Sequence, residues 1–236
     1  MHLQSKTIIV TGAGSGIGAA LALKLGQSGA NVVLAGRRPE PLKLVAEQVK
    51  EAGGDALVVP GDLRKRKNAD KLAAETEKSF GQIDVLVNNA GLIQLANFFQ
   101  MTEEDWDTTF DTNLKSVFLL CKAVVPRMVA QREGRIINVS SVAGVNGISR
   151  SPAYAASKAG LIGFSRHLAM NLKQHGIAVS CINPGLVYTP FHAGGEMPDR
   201  DRCMEPEDIA DTIIHLLKLP ERAVLKEILI MPRDDI

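Results

Sequence analysis

Tyr154 and Lys158 stand four residues apart in SPAYAASKAG (151–160), a stretch made otherwise of small, mostly apolar residues. Four residues is just over one helical turn, so on a helix the phenol and the amine lie on one face and can address one point in space. A free phenol, with a pKa of about 10, exchanges protons poorly at neutral pH. An ammonium one turn away favours the phenolate and lowers that value, which makes the pair a candidate proton donor and acceptor. Taken alone, the same two residues also fit a surface helix with a stray phenol and a solvated amine. A second candidate lies near the start of the chain, where TGAGSGIG (11–18) follows an apolar run. Glycines between a strand and a helix let the backbone approach a pyrophosphate while the helix amides point at it. A bare tight turn is the other reading. A third is AGRRPEP, with Arg37 and Arg38 after Gly36. Nucleotide sites that prefer NAD place an acid there for the ribose 2′-hydroxyl, whereas guanidinium groups fork onto a 2′-phosphate. Two arginines on a solvated loop are the alternative.

These groups need elements to hold them. Short β-branched runs predict strands at 7–11, 31–35, 56–60, 83–87, 135–140, 177–183 and 227–231. Helical periodicity predicts helices at 16–28, 39–52, 66–79, 103–131, 152–175 and 206–218. The alternation implies an α/β protein with a parallel sheet covered by helices on both faces. No repeat or linker divides residues 1–236, so one domain is expected. The stretch 189–204 has no periodicity and follows the sixth strand. Ligands in open parallel sheets bind beyond the carboxyl ends of the strands, so this segment is expected to cover the crevice, with Gly194 and Gly195 permitting motion.

Composition narrows the classes. A chain of 236 residues that is 45% hydrophobic and 22% charged can bury a sizeable core. A formal net charge of +1 and only 4% aromatic residues argue against nucleic acid or an anionic membrane as partner, and the RKRK run at 64–67 fits the solvated start of a helix. Cys121, Cys181 and Cys203 are widely spaced and form no zinc motif or disulfide framework, so free thiols and no metal are expected. No apolar stretch approaches the ~20 residues that span a bilayer, and no signal peptide precedes the first strand, which predicts a soluble cytoplasmic protein.

TGAGSGIG, GDL (61–63), NNAG (88–91), TNL (112–114), SS (140–141), Tyr154 with Lys158, and NPGLVYT (183–189) stand in the order and spacing of the short-chain dehydrogenase/reductase family, which the chain resembles over about residues 5–190. The resemblance implies a single-domain Rossmann-type doubly wound sheet of about seven parallel strands. It implies a phosphate loop of Gly12, Ser15, Gly16, Ile17 and Gly18, and an adenine site at Asp62 and Leu63. Asn89, Ala90 and Gly91 would contact the adenosine side. Pro184, Gly185, Val187 and Thr189 would hold the nicotinamide end, the threonine bonding its carboxamide. With Arg37 and Arg38 the cofactor is expected to be NADP(H). Asn113, Ser141, Tyr154 and Lys158 match a catalytic tetrad; Ser141 is chosen over Ser140 because it lies thirteen residues before the tyrosine. Tyr154 would protonate a carbonyl oxygen as hydride arrives, its pKa lowered by Lys158 and the nicotinamide charge, and Ser141 would stabilise that oxygen. Lys158 would also bind the nicotinamide ribose, and Asn113 would hold a water.

The body is most similar to 3-oxoacyl-[acyl-carrier-protein] reductases, which makes a ketone or an acyl-thioester carbonyl the expected substrate. Arg132, with Lys173 or His175, matches a basic position offered to an acidic carrier protein. The tail is more similar to the 3-hydroxy acid and serine dehydrogenase subgroup, the alternative activity. A cofactor-sensing protein without turnover and an interaction scaffold are the non-enzyme alternatives; the tetrad argues against the first, and no coiled coil, repeat or charged tail supports the second. Apolar positions such as Val117, Leu120, Leu161 and Phe164 on the two long helices, together with the family's four-helix contact, predict a homotetramer, with a dimer as fallback.

Overall fold

The computed structural model describes residues 1–148, 150–192 and 198–233. Its order is β1 (Thr7–Thr11), α1 (Gly16–Gln27), β2 (Asn31–Gly36), α2 (Pro39–Glu51), β3 (Asp55–Pro60), α3 (Arg66–Phe80) and β4 (Val85–Asn88). Then follow α4 (Glu103–Phe110), a π-helical turn (Asp111–Lys115), α5 (Ser116–Gln131), β5 (Gly134–Val139), α6 (Ala143–Asn146), α7 (Pro152–Leu172), β6 (Ile177–Pro184), α8 (Pro206–Lys218) and β7 (Glu227–Ile230). All strands are parallel, in the order β3-β2-β1-β4-β5-β6-β7. The chain crosses between β1 and β4, and the crevice at such a switch point is where this architecture binds ligands.

Each central strand is apolar on both faces because each face is covered. Ile8 and Val10 of β1 pack with α1, α2 and α8, whereas Ile9, between them, packs with α3, α5 and α7. Local chemistry sets the helix ends. Pro39, Pro152 and Pro206 occupy first positions, where a missing N–H costs nothing, and Thr102 and Asp105 form a reciprocal capping box on α4. Of the RKRK run only Arg66 and Lys67 open α3, Arg66 pairing with Asp70 at 2.9 Å, whereas Arg64 lies in the turn before the helix and pairs with Asp62.

Three expectations change. The helix expected over 103–131 is broken at Asp111–Lys115 by the π-turn that carries Asn113. The fourth strand begins at Val85 rather than at 83. Val117, Leu120 and Leu161 do not supply a subunit contact: they are buried in this chain's own core, because α5 and α7 each turn one apolar stripe inward. The outward side of these helices carries other residues, exposed Phe118 in edge-to-face contact with half-buried Phe164 (centroids 6.4 Å apart) and Met170, 73% exposed.

Candidate active site

β1 ends at Thr11, whose hydroxyl accepts the N–H groups of Asn89 (2.9 Å) and Ala90 (3.0 Å), while the Asn89 side-chain amide donates to Thr11 O at 2.9 Å. The loops after β1 and β4 are thereby locked side by side. Gly12 has φ +66°, and a Cβ there would lie 3.0 Å from Ala90 Cα; one at Gly18 would strike the Gly12 carbonyl oxygen. Only glycine gives the loop this path. Gly16 lies against the methyl of Thr189, which brings the segment after β6 to the start of α1.

A cleft of about 180 Å³ opens at the carboxyl ends of β1 to β4. Gly12, Ser15, Arg37, Arg38, Asp62, Leu63, Ala90 and Gly91 line it, and so do Gly14, Arg64, Thr112 and Ser116, to which the sequence reading gave no role in the site. Gly16, Ile17 and Gly18 form the adjacent first turn of α1. Asn89 braces Thr11 and does not line the cleft. Pro184, Gly185, Val187 and Thr189 lie at and beyond the end of β6, where Val187 bridges Met204 and Tyr188 N–H donates to Met204 O (2.8 Å), drawing together the two ends of the covering segment. Gly194 and Gly195 lie outside the described residues.

Gly91 joins this cleft to the acid–base cluster: a Cβ there would lie 3.3 Å from Asn113 Oδ1 and 3.5 Å from Lys158 Nζ. Tyr154 and Lys158 share one face of α7 and are 8% and 3% exposed. Lys158 Nζ donates to Val139 O at 2.8 Å and sits 5.7 Å from the Tyr154 ring centre. Ser140 Oγ donates to the Lys158 carbonyl (2.8 Å), so this hydroxyl fixes the helix to β5, and it is Ser141 whose hydroxyl reaches Tyr154. Phe191 packs 5.9 Å from the tyrosine ring. The Asn113 side chain is committed to protein, accepting Leu92 N–H (2.8 Å) and donating to Leu92 O (2.9 Å) and Ser157 Oγ (3.0 Å). Ser157 in turn donates to Tyr154 O at 2.8 Å. Asn113 therefore clamps the segment after β4 to α7.

The electrostatics of the chain alone are set by burial. Burial pushes the Tyr154 phenol up to about 12, only partly offset by its bond from Ser141, and burial pushes the Lys158 ammonium down to about 8. Loss of water is the largest effect at both groups, and the ammonium is turned to the Val139 carbonyl.

The basic trio lies elsewhere. Arg132, Lys173 and His175 stand at the amino ends of β5 and β6, the length of α7 away from Tyr154, roughly 30 Å for 21 residues.

A doubly wound sheet with a glycine-lined cleft at its switch point and a buried Ser–Tyr–Lys cluster beside it defines a nucleotide-dependent oxidoreductase. A profile of the short chain dehydrogenases matches residues 6–197, and the chain belongs to that family of NAD(P)-dependent dehydrogenases acting on CH–OH groups. It is similar to an uncharacterized oxidoreductase of Staphylococcus aureus (strain MRSA252), 36% identical over 230 residues and 98% of each chain. It is 35% identical over 227 residues to the (2S)-[(R)-hydroxy(phenyl)methyl]succinyl-CoA dehydrogenase subunit BbsD of Thauera aromatica, covering 92% of this chain and 90% of that one. Among solved structures, a metagenomic short-chain oxidoreductase in complex with NADP superposes with a TM-score of 0.87 at 36% identity, over 98% and 99% of the two chains. Among the described residues, no helix is long and apolar enough to cross a membrane and no group of residues could hold a metal ion.

Proposed function

We propose that this protein is an NADPH-dependent reductase that converts a 3-oxoacyl thioester or related ketone to the secondary alcohol, working in the cytoplasm with residues 1–236 as one dinucleotide-binding domain. One observation carries the cofactor choice: Arg37 and Arg38 line the same cleft as the glycine loop, where an NAD site would present an acid. The NADP carried by the similar metagenomic oxidoreductase agrees with it. The close approach at Gly12 and Gly18 fits a pyrophosphate laid against the start of α1, with Asp62 and Leu63 towards the base and the Pro184–Thr189 segment towards the nicotinamide.

Bound there, NADPH supplies a hydride to the substrate carbonyl carbon. Tyr154 gives the oxygen its proton, and a phenol held near 12 is in the protonated state this direction requires. The Ser141 hydroxyl, already against Tyr154, donates to the same oxygen as its charge develops. Lys158, released from Val139 O, would bind the ribose and pass the phenol its replacement proton. The thioester is favoured because the Thauera relative is named for a hydroxyl-bearing CoA thioester. The resemblance of α8 and β7 to 3-hydroxy acid and serine dehydrogenases supports a second reading with a free carboxylate substrate. Assembly as a homotetramer, or at least a dimer, would cover Phe118, Phe164 and Met170.

The test follows NADPH consumption with acetoacetyl-CoA, the same acyl group on carrier protein, free 3-oxo acids and simple ketones. The highest kcat/KM is expected for a thioester. A free 3-oxo acid outperforming both thioesters would shift the assignment to the hydroxy acid reading, and an absence of turnover with every carbonyl would remove the enzyme reading.

A further inference from the structure

A dinucleotide that lays one end against Arg37 and Arg38 and its reacting end beside Tyr154 must cross Gly91, and the ring of Phe191 stands on that crossing. The open cleft runs from the three arginines to Ala90 and Gly91, and neither Tyr154, Lys158 nor the Pro184–Thr189 segment is among the residues that line it. Its volume of about 180 Å³ falls short of the roughly 300–1,000 Å³ of pockets that enclose drug-sized ligands, and a dinucleotide is no smaller than those. The cleft therefore has room for part of such a molecule. What closes it can be named. A Cβ built on Gly91 would meet Asn113 Oδ1 at 3.3 Å, Lys158 Nζ at 3.5 Å and Phe191 Cε2 at 3.9 Å. The same phenylalanine packs on Tyr154, with ring centroids 5.9 Å apart and planes at 52°, inside the roughly 4.5–7 Å range over which aromatic pairs attract. One ring thus reaches both the last glycine of the cleft and the phenol.

The backbone before this ring is anchored. Tyr188 N–H donates to Met204 O (2.8 Å), Met204 N–H donates to Leu186 O (3.0 Å), and the Thr189 methyl lies against Gly16. Phe191 follows two residues later in the short turn Pro190–His192 and is half-buried. Its ring can leave Tyr154 by rotation about its own side-chain bonds while those anchors stay in place. We propose that Phe191 is a displaceable plug: its ring fills the place that the nicotinamide end must take beside Tyr154, so it competes with the nicotinamide half of the cofactor and not with the adenosine half. The adenosine half enters the open cleft directly, and the nicotinamide half enters where the ring has turned off the phenol. Until then the ring keeps water from the phenol. Apparent affinity for the whole dinucleotide is lowered by the fraction of molecules in which the ring is displaced. An aromatic pair of this geometry corresponds to roughly two- to tenfold in such an equilibrium. The proposal rests on the reading of this cleft as a dinucleotide site.

The experiment measures Kd by calorimetry, without substrate, in the wild type, Phe191→Ala and Phe191→Leu. The ligands are NADPH and adenosine 2′,5′-bisphosphate, which keeps the base, its ribose and the 2′-phosphate and lacks the nicotinamide half. Phe191→Ala is expected to bind NADPH roughly three- to tenfold tighter than the wild type, with Kd for the bisphosphate unchanged within about twofold. Phe191→Leu, apolar but shorter in reach, should fall between, and it carries the same comparison if the alanine variant fails to fold. If NADPH binds no tighter, or more weakly, while the bisphosphate is unchanged, the ring is a wall of the site and the plug is overturned. Parallel changes for both ligands overturn it too, because the ring then acts on the whole cleft. A wild type that binds neither ligand overturns the cofactor reading, and this proposal with it.

Discussion

The cleft end that holds Arg37, Arg38 and Arg64 is open to water, whereas further along the same crevice, past Gly91, Tyr154 and Lys158 are buried, with 8% and 3% of their surface exposed. The first region works by charges that stay solvated until a ligand arrives. In the Asp62–Arg64 pair each member makes the other's ion more favourable. The second works by withholding water: burial drives the phenol up to about 12 and the ammonium down to about 8, so both are displaced towards neutrality. On the proposed function, binding falls to the solvated charges and proton transfer to the buried groups whose charge is costly.

The largest effect expected from this contrast is at the dry end. Tyr154→Phe removes one oxygen, leaves the cofactor cleft untouched and should lower kcat by the ~10² to 10⁴ that a positioned general acid contributes. Kd for NADPH should stay within about twofold, on the view that the phenol acts on substrate alone. Steady-state rates beside fluorescence titrations check both, and a variant with near wild-type kcat would place the proton donor elsewhere.

At the open end the effect is smaller and confined to binding. Arg37→Ala should cut the preference for NADPH over NADH by roughly ten- to a hundredfold in kcat/KM, with kcat at saturation little changed. A variant that keeps the full preference would break the division of labour drawn here.

The smallest effect tests the cost of dryness. Lys158 carries its proton in both folded and unfolded chains below pH 8, so the native state bears the whole desolvation cost there. Between about 8 and the unfolded value of 10.5 the unfolded chain binds more protons, and wild-type stability rises with pH. Lys158→Met, although inactive, should therefore be more stable than the wild type by about 1–2 kcal/mol at pH 6–7, after allowance for the lost bond to Val139 O. The gain should fade as pH rises through 8 towards 10.5. Urea denaturation across this range at one protein concentration measures it, and an equal difference at every pH would exclude a titrating origin.

The strands were legible because both faces of each central strand are covered, so Ile, Val and Leu run on without interruption, as in IIV at 8–10. The glycine loop, Arg37 and Tyr154 with Lys158 were legible because their spacing is a local property of one turn or one helix face. The π-turn was not. The periodicity of 103–131 continues across it, and what accompanies the break is a set of long-range bonds from Asn113 to Leu92 and Ser157. Nor did spacing reveal the outward face of α5 and α7, since Val117 and Phe118 are adjacent apolar residues and only packing buries one and exposes the other.

By itself the sequence determined the order of the strands and helices and which side chains could bind phosphate or carry a proton, because these depend on residue type and on contacts within a few positions. The tertiary structure alone decided the charge states of Tyr154 and Lys158, the burial of Ser157 of α7 against Asn113, the place of Arg64 in the cleft and the remoteness of Arg132. Each of these depends on how much water is excluded, or on distances between segments tens of residues apart, and neither quantity is written in local spacing.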